Sequence, residues 1–341
     1  MRDTMAETTA ETNGTGGDRY DVVVVGGGIA GMSAALTLGR SRRRTLVVDS
    51  GTPRNAPSSG VHGFLSRDGI PPLELLRIGR DQLAPYPDVE VRSGSVTGGS
   101  GEDGDFTVTL GDGSSARAHK LLLASGVVDD LPDTAGFAAL WGQGVYHCPY
   151  CHGWEVRDSR LAVLAKGPMA MHYLTLIRNW SRDLVLLTDG DAELGEDDRR
   201  TLRALGVPVR EEPIERLEGV PGDHVGLRQI VFTDGPALER DALFHGPPMR
   251  QRSGLAEALG CDIVRELIPM VSMPGTVAHD PVTRQTTVPG VYVAGDAAGP
   301  LNAIVAASSG AMAAAFINAA LVAAAVAAEV AAAGVGVGVA A

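Results

Sequence analysis

Two cysteines separated by two residues, each beside a histidine, are the residues of this chain whose types and spacing most clearly suggest chemistry. They lie in the segment YHCPYCHGWE, residues 146–155. A Cys-x-x-Cys pair can bind a metal, can anchor a c-type haem when His follows it, or can cycle between dithiol and disulfide. A structural zinc site needs two further ligands, and the sequence has no second cysteine pair. His147 and His152 could supply ligands, but neighbouring residues rarely point at one metal from a rigid turn. We therefore predict no metal site, although the spacing alone does not decide the matter.

The composition is that of a soluble globular protein with room for two domains. The chain has 341 residues, of which 44% are hydrophobic and 21% are charged. Its net charge of −12 argues against nucleic acid or an anionic membrane as a partner. Three cysteines are too few for a secreted disulfide scaffold, and we expect the third, Cys261, to be a small buried apolar residue.

The two ends of the chain predict a disordered arm and a terminal helix. Residues 1–18 lack the apolar core of a signal peptide, so we expect a polar arm and a cytoplasmic protein. Residues 311–341 are rich in alanine, but Asn318 and Glu329 interrupt them. We predict a buried helix rather than a membrane span, and a flexible tail at 331–341.

A glycine-rich turn near the start of the chain predicts a dinucleotide site. The apolar run YDVVVV, residues 20–25, leads into GGGIAG and then into a helical stretch, and the next apolar run ends in Asp49. Gly26 permits the tight turn, Gly28 lets the backbone approach a pyrophosphate, and Gly31 lets the helix and strand pack closely. Asp49 would accept hydrogen bonds from a ribose.

Two later apolar runs have the same character. KLLLASG, residues 120–126, and GVYVAGDAAG, residues 290–299, both end in small residues. With these segments the chain resembles the flavoproteins that have two dinucleotide-binding domains, and among them the low-molecular-weight thioredoxin reductases. The resemblance implies an α/β fold of two Rossmann-like domains with FAD as cofactor. The FAD domain would comprise residues 19–126 and 247–330, and an inserted NAD(P)-domain-like module would comprise residues 127–246.

The resemblance also assigns roles to individual residues. It implies that Cys148 and Cys151 are the redox-active pair, with Cys151 nearer the flavin and Cys148 meeting the substrate. His152 stands where thioredoxin reductases carry an aspartate, and we expect it to act as a general acid and base titrating near neutrality. The implied FAD contacts are Gly26, Gly28, Ile29, Ala30, Gly31, Asp49, Ser50, Arg54, Asn55, Val96, Ala124, Gly295, Asp296, Ala303 and Ile304.

The segments CPYCHGWE and DSGTPRN, the latter at residues 49–55, resemble one branch in particular. This branch contains the FAD-dependent dithiol oxidases that close the disulfides of gliotoxin, holomycin and related natural products. Within it, Arg54 and Asn55 become cofactor contacts. His62 is either a neighbour of the flavin ring or a surface loop residue, and the role of His147 stays open.

The second glycine turn of the chain is degraded. Residues 160–176 have the strand and helix of a nucleotide-binding unit, but the turn begins with Ala165 and carries Met169. Asp189 and Asp191 follow the next strand and would repel a 2′-phosphate. Gly167 and Ala170 of the same turn are retained.

These features predict an FAD-dependent dithiol oxidase. It would close a disulfide in a small-molecule dithiol and use oxygen as acceptor, giving hydrogen peroxide. The alternatives are an NAD(P)H-dependent thioredoxin reductase-like enzyme and a redox-sensing flavoprotein without turnover. By resemblance alone we also expect a homodimer.

Overall fold

The computed structural model describes residues 19–222, 224–265, 275–299 and 302–334. The predicted arm at 1–18 and the last seven residues of the predicted tail, 335–341, lie outside these ranges. The strands are β1 (Arg19–Val25), β2 (Thr45–Asp49), β3 (Val89–Ser93), β4 (Val96–Glu102), β5 (Asp105–Leu110), β6 (Ser115–Leu123), β7 (Val127–Asp129), β8 (Val145–Tyr146), β9 (Leu161–Leu164), β10 (Leu184–Leu187), β11 (Val209–Arg210), β12 (Ile214–Gly219), β13 (Leu227–Phe232), β14 (Leu238–Glu239), β15 (Ala242–His245), β16 (Met249–Gln251) and β17 (Val291–Val293). The α-helices are α1 (Ile29–Arg40), α2 (Pro72–Asp81), α3 (Phe137–Leu140), α4 (Pro149–His152), α5 (Gly167–Ile177), α6 (Glu196–Leu205), α7 (Leu255–Ala258) and α8 (Ala303–Ala332).

The first sheet brings the ends of several apolar strands to one edge. It has seven strands in the order β3-β2-β1-β6-β5-β4, with β17 also paired to β6. Strands β1, β2, β3, β6 and β17 are parallel, and both β1 and β17 place their last residues beside Leu123 of β6. Parallel strands buried on both faces are apolar throughout, which is why YDVVVV predicts a central strand. Ligands of such sheets bind beyond the carboxyl ends of the strands.

A second parallel sheet is built from the middle of the chain. Its five strands lie in the order β11-β10-β9-β15-β8, and a separate antiparallel sheet contains β12, β13 and β14. Strands β7 and β16 pair with each other where the chain enters and leaves this part. The predicted α/β fold with parallel sheets is confirmed, whereas the domain limits at 126 and 247 stay a prediction.

Helix α8 differs in part from its prediction as a buried helix. Its first half packs on α1 through small residues, including Gly310 and Ala313, and Leu321 is the last of its buried residues. Beyond that point it is exposed, with Val322 at 45% and Val326 at 51% exposure. The prediction is therefore wrong for its second half. By length and composition alone, α8 is the one helix among the described ranges that could cross a membrane, but a packed core helix meets the same criteria.

Candidate active site

The glycine turn between β1 and α1 is closed on its protein side and open on its other side. Gly26 has a φ of +106°, and a Cβ there would overlap the carbonyl of Ala124. A Cβ at Gly31 would overlap the carbonyl of Gly26, so helix and strand can meet only with glycine at this position. A Cβ at Gly28 would have no neighbour within 4 Å, because Gly28 faces a cavity. A backbone that can be approached so closely fits the pyrophosphate of FAD.

Helices α1 and α8 both begin at this cavity. The first N–H groups of a helix have no partner within the helix and favour anionic or electron-rich groups. Asn302 caps α8 by accepting a hydrogen bond from the Val305 N–H at 3.0 Å, which leaves the N–H groups of Ala303 and Ile304 without an intrahelical partner. Of these two, Ala303 lines the cavity and Ile304 does not.

Asp49 stabilises the turn from the end of β2. Its Oδ1 accepts a hydrogen bond from the Gly27 N–H at 3.1 Å, and its Oδ2 pairs with the guanidinium of Arg80. The carboxylate lies at the cavity wall, as expected for a ribose acceptor, but it also holds the turn in place.

Arg54 connects three segments of the cavity wall. Its guanidinium donates two hydrogen bonds to Asp129 in β7, at 2.6 and 2.8 Å, and one to Asp296 at 2.9 Å. Burial alone would lower the pKa of Arg54, but the hydrogen bonds and charges of the two carboxylates outweigh it and hold the pKa above its usual value. The predicted cofactor contacts Arg54 and Asp296 therefore also bind each other.

The cavity has a volume of about 480 Å³ and collects most of the predicted site residues. Gly31, Ile304 and Cys148 are not in its wall. The predicted residues that line it are Gly26, Gly28, Ile29, Ala30, Asp49, Ser50, Arg54, Asn55, Val96, Ala124, Cys151, His152, Gly295, Asp296 and Ala303.

The cysteine pair is a disulfide that meets this cavity through Cys151. Cys148 is bonded to Cys151, with Cα atoms 5.3 Å apart, and Cys148 precedes the one-turn helix α4. Cys151 lines the cavity, as expected for the sulfur nearer the cofactor. Cys261 is buried and far along the chain, and burial raises the pKa of its thiol.

His152 is buried against Tyr146, whose ring stacks on the imidazole with 4.4 Å between centroids. The Nε2 atom lies 2.9 Å from Ser58 Oγ, and that hydroxyl donates its proton to the Gly60 carbonyl at 2.8 Å. Nε2 must therefore carry a hydrogen and donate to Ser58, which leaves the lone pair on Nδ1. This atom is buried and has no hydrogen-bond partner within the described ranges.

The predicted titration of His152 near neutrality is wrong. Its pKa is lowered to about 3, first by burial and then by electrostatic repulsion from His147, His62 and His224. Among the described residues, no carboxylate contributes to this shift of the pKa. The pKa of His147 is lowered to about 4, first by burial and then by Arg54.

The sequence analysis did not identify three residues of the site. Ser58 fixes the His152 tautomer, Trp141 stacks on His147 at 5.8 Å, and Glu155 lies 3.5 Å from His62 Nδ1. His62 itself lies in a loop and lines the cavity, which favours a place beside the cofactor and leaves its role a prediction. Proximity to the Cys-x-x-Cys segment could have drawn attention to Glu155.

The turn before α5 offers few donors for a phosphate. The Gly167 N–H donates to the Ala192 carbonyl at 2.9 Å, and Pro168 has no N–H. Met169 is 54% exposed at the same turn. Asp189 accepts a hydrogen bond from the Ile214 N–H at 2.7 Å, so it is engaged with the backbone. Within the described ranges, no cluster of three His, Cys, Asp or Glu side chains could hold a metal ion.

Comparison with known proteins gives matches over most of the chain. The family model described as pyridine nucleotide-disulphide oxidoreductase matches residues 20–311. Thioredoxin reductase sirT of Leptosphaeria maculans is 31% identical, over 88% of this chain and 93% of its own length. Thioredoxin reductase tcpT of Claviceps purpurea is 32% identical, over 81% and 86%. The crystal structure of HlmI superimposes with a TM-score of 0.83 at 41% identity, over 93% of this chain and 96% of that one. An oxidoreductase from Agrobacterium tumefaciens gives a TM-score of 0.81 at 36% identity, over 89% and 99%.

Proposed function

Because the chain belongs to the pyridine nucleotide-disulphide oxidoreductases, and within them to the thioredoxin reductase-like flavoproteins, we propose that it is an FAD-dependent dithiol oxidase. Its substrate would be a small-molecule dithiol, its product the intramolecular disulfide, and its final electron acceptor oxygen. The observation that supports this most directly is that Cys151 shares a cavity wall with the glycine turn Gly26–Gly28. The segments CPYCHGWE and DSGTPRN, which resemble the dithiol oxidases, support the choice of substrate class.

The cysteine pair would act by thiol–disulfide exchange. A substrate thiolate attacks one sulfur of the Cys148–Cys151 bond, forms a mixed disulfide and releases the other cysteine as a thiolate. The second substrate thiolate then attacks the substrate sulfur of that mixed disulfide. The substrate leaves as a disulfide after losing two electrons and two protons, and the enzyme is left as the dithiol.

The cofactor of the chain is FAD, which would supply the two-electron redox chemistry that links the enzyme dithiol to oxygen, with hydrogen peroxide as the product. Residues of β1, α1 and β2 would hold its pyrophosphate and ribose, and the start of α8 would lie at its ring. Arg54, held between Asp129 and Asp296, would keep the two parts of the wall together around it.

The direction of electron flow rests on the turn before α5. A nicotinamide coenzyme needs free N–H groups at the start of that helix, and here Gly167 donates to Ala192 while Pro168 has none to offer. Asp189 and Asp191 place negative charge where a 2′-phosphate would have to bind. Both features favour oxidation of a dithiol over reduction by NADPH.

Anaerobic mixing of the purified holoenzyme tests the proposal. A dithiol such as dithiothreitol should bleach the flavin absorbance, whereas stoichiometric NADPH should leave it unchanged. In air, each dithiol oxidised should consume one oxygen and give one peroxide. Rapid bleaching by NADPH would establish the reductase instead, and flavin without turnover of any dithiol would indicate a redox sensor.

Cysteine variants provide the matched control. Cys148→Ser and Cys151→Ser should each keep a full complement of FAD, since neither residue supports the glycine turn, and each should abolish turnover. Retained oxidation of dithiols by either variant would disprove the exchange mechanism.

We further propose that the protein is cytoplasmic and forms a homodimer. The exposed half of α8 supplies an apolar surface for the dimer contact.

A further inference from the structure

His62 lines the same cavity as Cys151 and contacts the residue that follows it, His152. His62 follows Val61, which forms an antiparallel bridge with Ile70, with the Val61 N–H donating to the Ile70 carbonyl at 2.8 Å. The short loop closed by this bridge fixes the backbone of His62. Its ring meets that of His152 edge-on at a centroid distance of 6.0 Å, and His152 directly follows Cys151.

Two carboxylates face one nitrogen of His62. Glu155 Oε1 lies 3.5 Å from Nδ1 and Asp68 Oδ1 lies 3.8 Å from it. The Glu155 side chain is only 13% exposed, whereas that of Asp68 is 73% exposed and also accepts a hydrogen bond from the Gly63 N–H. Water screens an exposed charge far more than a buried one, so Glu155 is the stronger partner.

This arrangement sets the tautomer of His62. With Nδ1 turned towards carboxylates, that nitrogen carries the hydrogen, and Nε2 has the lone pair. Nε2 is buried and has no hydrogen-bond partner among the residues that the structure describes, and the same holds for Glu155 Oε2. A carboxylate behind one nitrogen of an imidazole orients the ring and stabilises the cation that forms when the other nitrogen takes a proton.

His152 and His62 thus differ in a way that matters for proton transfer. Within the described part of the chain, no carboxylate lies within 4 Å of the His152 ring nitrogens, whereas Glu155 Oε1 lies 3.5 Å from His62 Nδ1. We propose that His62, oriented by Glu155, is the group that accepts the proton of the attacking substrate thiol. This inference rests on the proposed function. As the S–H bond breaks, the proton passes to His62 Nε2, the sulfur attacks the enzyme disulfide, and the cysteine leaves with the electron pair of the broken S–S bond.

The first test is the rate of anaerobic flavin bleaching by dithiols at pH 7. His62→Ala should slow the reaction with a thiol of pKa near 9 by about a hundredfold or more, since a positioned base contributes at least that factor. The loss should shrink with a more acidic dithiol, which is already ionised, and added imidazole should restore part of the rate. A variant as fast as wild type, or a loss independent of thiol acidity and of imidazole, would overturn the inference.

The two carboxylates give a matched pair of variants. Glu155→Gln should lose much of the rate and Asp68→Asn much less of it, although both carboxylates lie at comparable distances from Nδ1. Nitrogen-15 NMR of histidine-labelled holoenzyme reports the tautomer without turnover: the His62 signals, identified by their absence in His62→Gln, should show a hydrogen on Nδ1 that Glu155→Gln alone disturbs. The opposite pattern, with Asp68 dominant, would overturn the role of Glu155.

Failure of the proposed function would look different. If wild type is reduced by NADPH, the enzyme is a reductase, and the same proton must then travel from His62 to the leaving thiolate of a substrate disulfide. His62→Ala should be slow in that direction as well. If His62→Ala is as fast as wild type in the direction that wild type catalyses, the proposed role of His62 is wrong and the proposed function is unaffected.

Discussion

Gly28 has open space beside its Cα atom, so a larger residue at this position can displace the cofactor without disturbing the fold. Its φ of −68° is accessible to any residue, and a Cβ would meet no atom within 4 Å. Gly28→Leu should therefore fold but place its side chain where the pyrophosphate lies, giving colourless protein.

The control for this prediction is Gly246→Leu, because Gly246 also has no atom within 4 Å of its Cβ position yet is not in the cavity wall. Absorbance at flavin wavelengths per protein, together with the unfolding temperature, checks both variants. Full flavin in Gly28→Leu would show that the turn does not approach the cofactor.

His152 makes the folded protein sensitive to acid. Its pKa falls from 6.5 in an unfolded chain to about 3 in the fold, so below pH 6.5 the unfolded state binds a proton that the folded state does not. The stability it contributes is present above pH 6.5 and is lost as pH falls towards 3. Burial is the main cause of this lowered pKa, and repulsion from the neighbouring histidines adds to it.

We expect His152→Gln to weaken this dependence. The Gln side chain can still donate to Ser58 but does not titrate. Urea unfolding of the holoenzyme between pH 7 and 4 should give a shallower loss of the free energy of unfolding than in wild type. The lowered pKa of His147 is common to both proteins. An identical dependence of the unfolding free energy on pH would therefore mean that His152 is not the buried neutral group described above.

The sequence could identify residues with chemical character but not the residues that tune them. Cys148, Cys151 and His152 are recognisable from type and spacing. The pKa of His152 depends on burial under Tyr146 and on histidines distant in the chain, and neither is encoded in the local pattern. The pairing of Arg54 with Asp129 and Asp296 likewise joins segments 75 and 242 residues apart.

At the scale of elements, the packing of α1 against α8 depends on glycine at position 310. A Cβ there would overlap the carbonyl of Ala30, in the first turn of α1. Overpacking of this kind costs about 1–3 kcal/mol, which exceeds the gain of about 1 kcal/mol from the better helix propensity of alanine. Gly310→Ala should therefore lower the unfolding free energy and loosen the cofactor.

Ser308→Ala in the same helix is the control, because Ser308 is exposed and a surface change should stay within about 0.5 kcal/mol. Chemical unfolding and retention of flavin on dilution measure the two effects. Equal stability of both variants would mean that a methyl group at position 310 does not disturb the packing of α1 against α8.

The elements themselves were predictable where the pattern is strong. Continuous apolar runs predicted β1, β2 and β6, because strands of a parallel sheet are buried on both faces. The second half of α8 was mispredicted since alanine and valine are equally compatible with a buried and an exposed helix. Ala165 and Met169 suggested that the turn before α5 does not bind a phosphate. The hydrogen bond from the Gly167 N–H to the Ala192 carbonyl is visible only in the fold.

For the whole molecule, the two parallel sheets contribute complementary halves of one site. The first sheet, the loop that carries His62 and α8 supply the cofactor wall, and the segment before β9 supplies the disulfide, His147 and His152. Electrons and protons must cross between these halves, and Arg54 joins them through carboxylates on both sides. The exposed part of α8, from Val322 onward, does not line this cavity.

The last prediction concerns that exposed part. Val322, Val326 and Val330 lie along one side of α8 with alanines between them, and Glu329 is the only charged residue of the helix. Burying this side against a second copy would stabilise a dimer, since apolar area removed from water contributes about 25 cal/mol per Å². Val322→Asp with Val326→Asp would place two charges in that contact and should give monomers by light scattering. Ala324→Asp with Ala328→Asp adds the same charges on the opposite side of the same helix and should leave the dimer intact. A wild type that is already monomeric, or equal effects of the two pairs, would show that this side of α8 is not the contact.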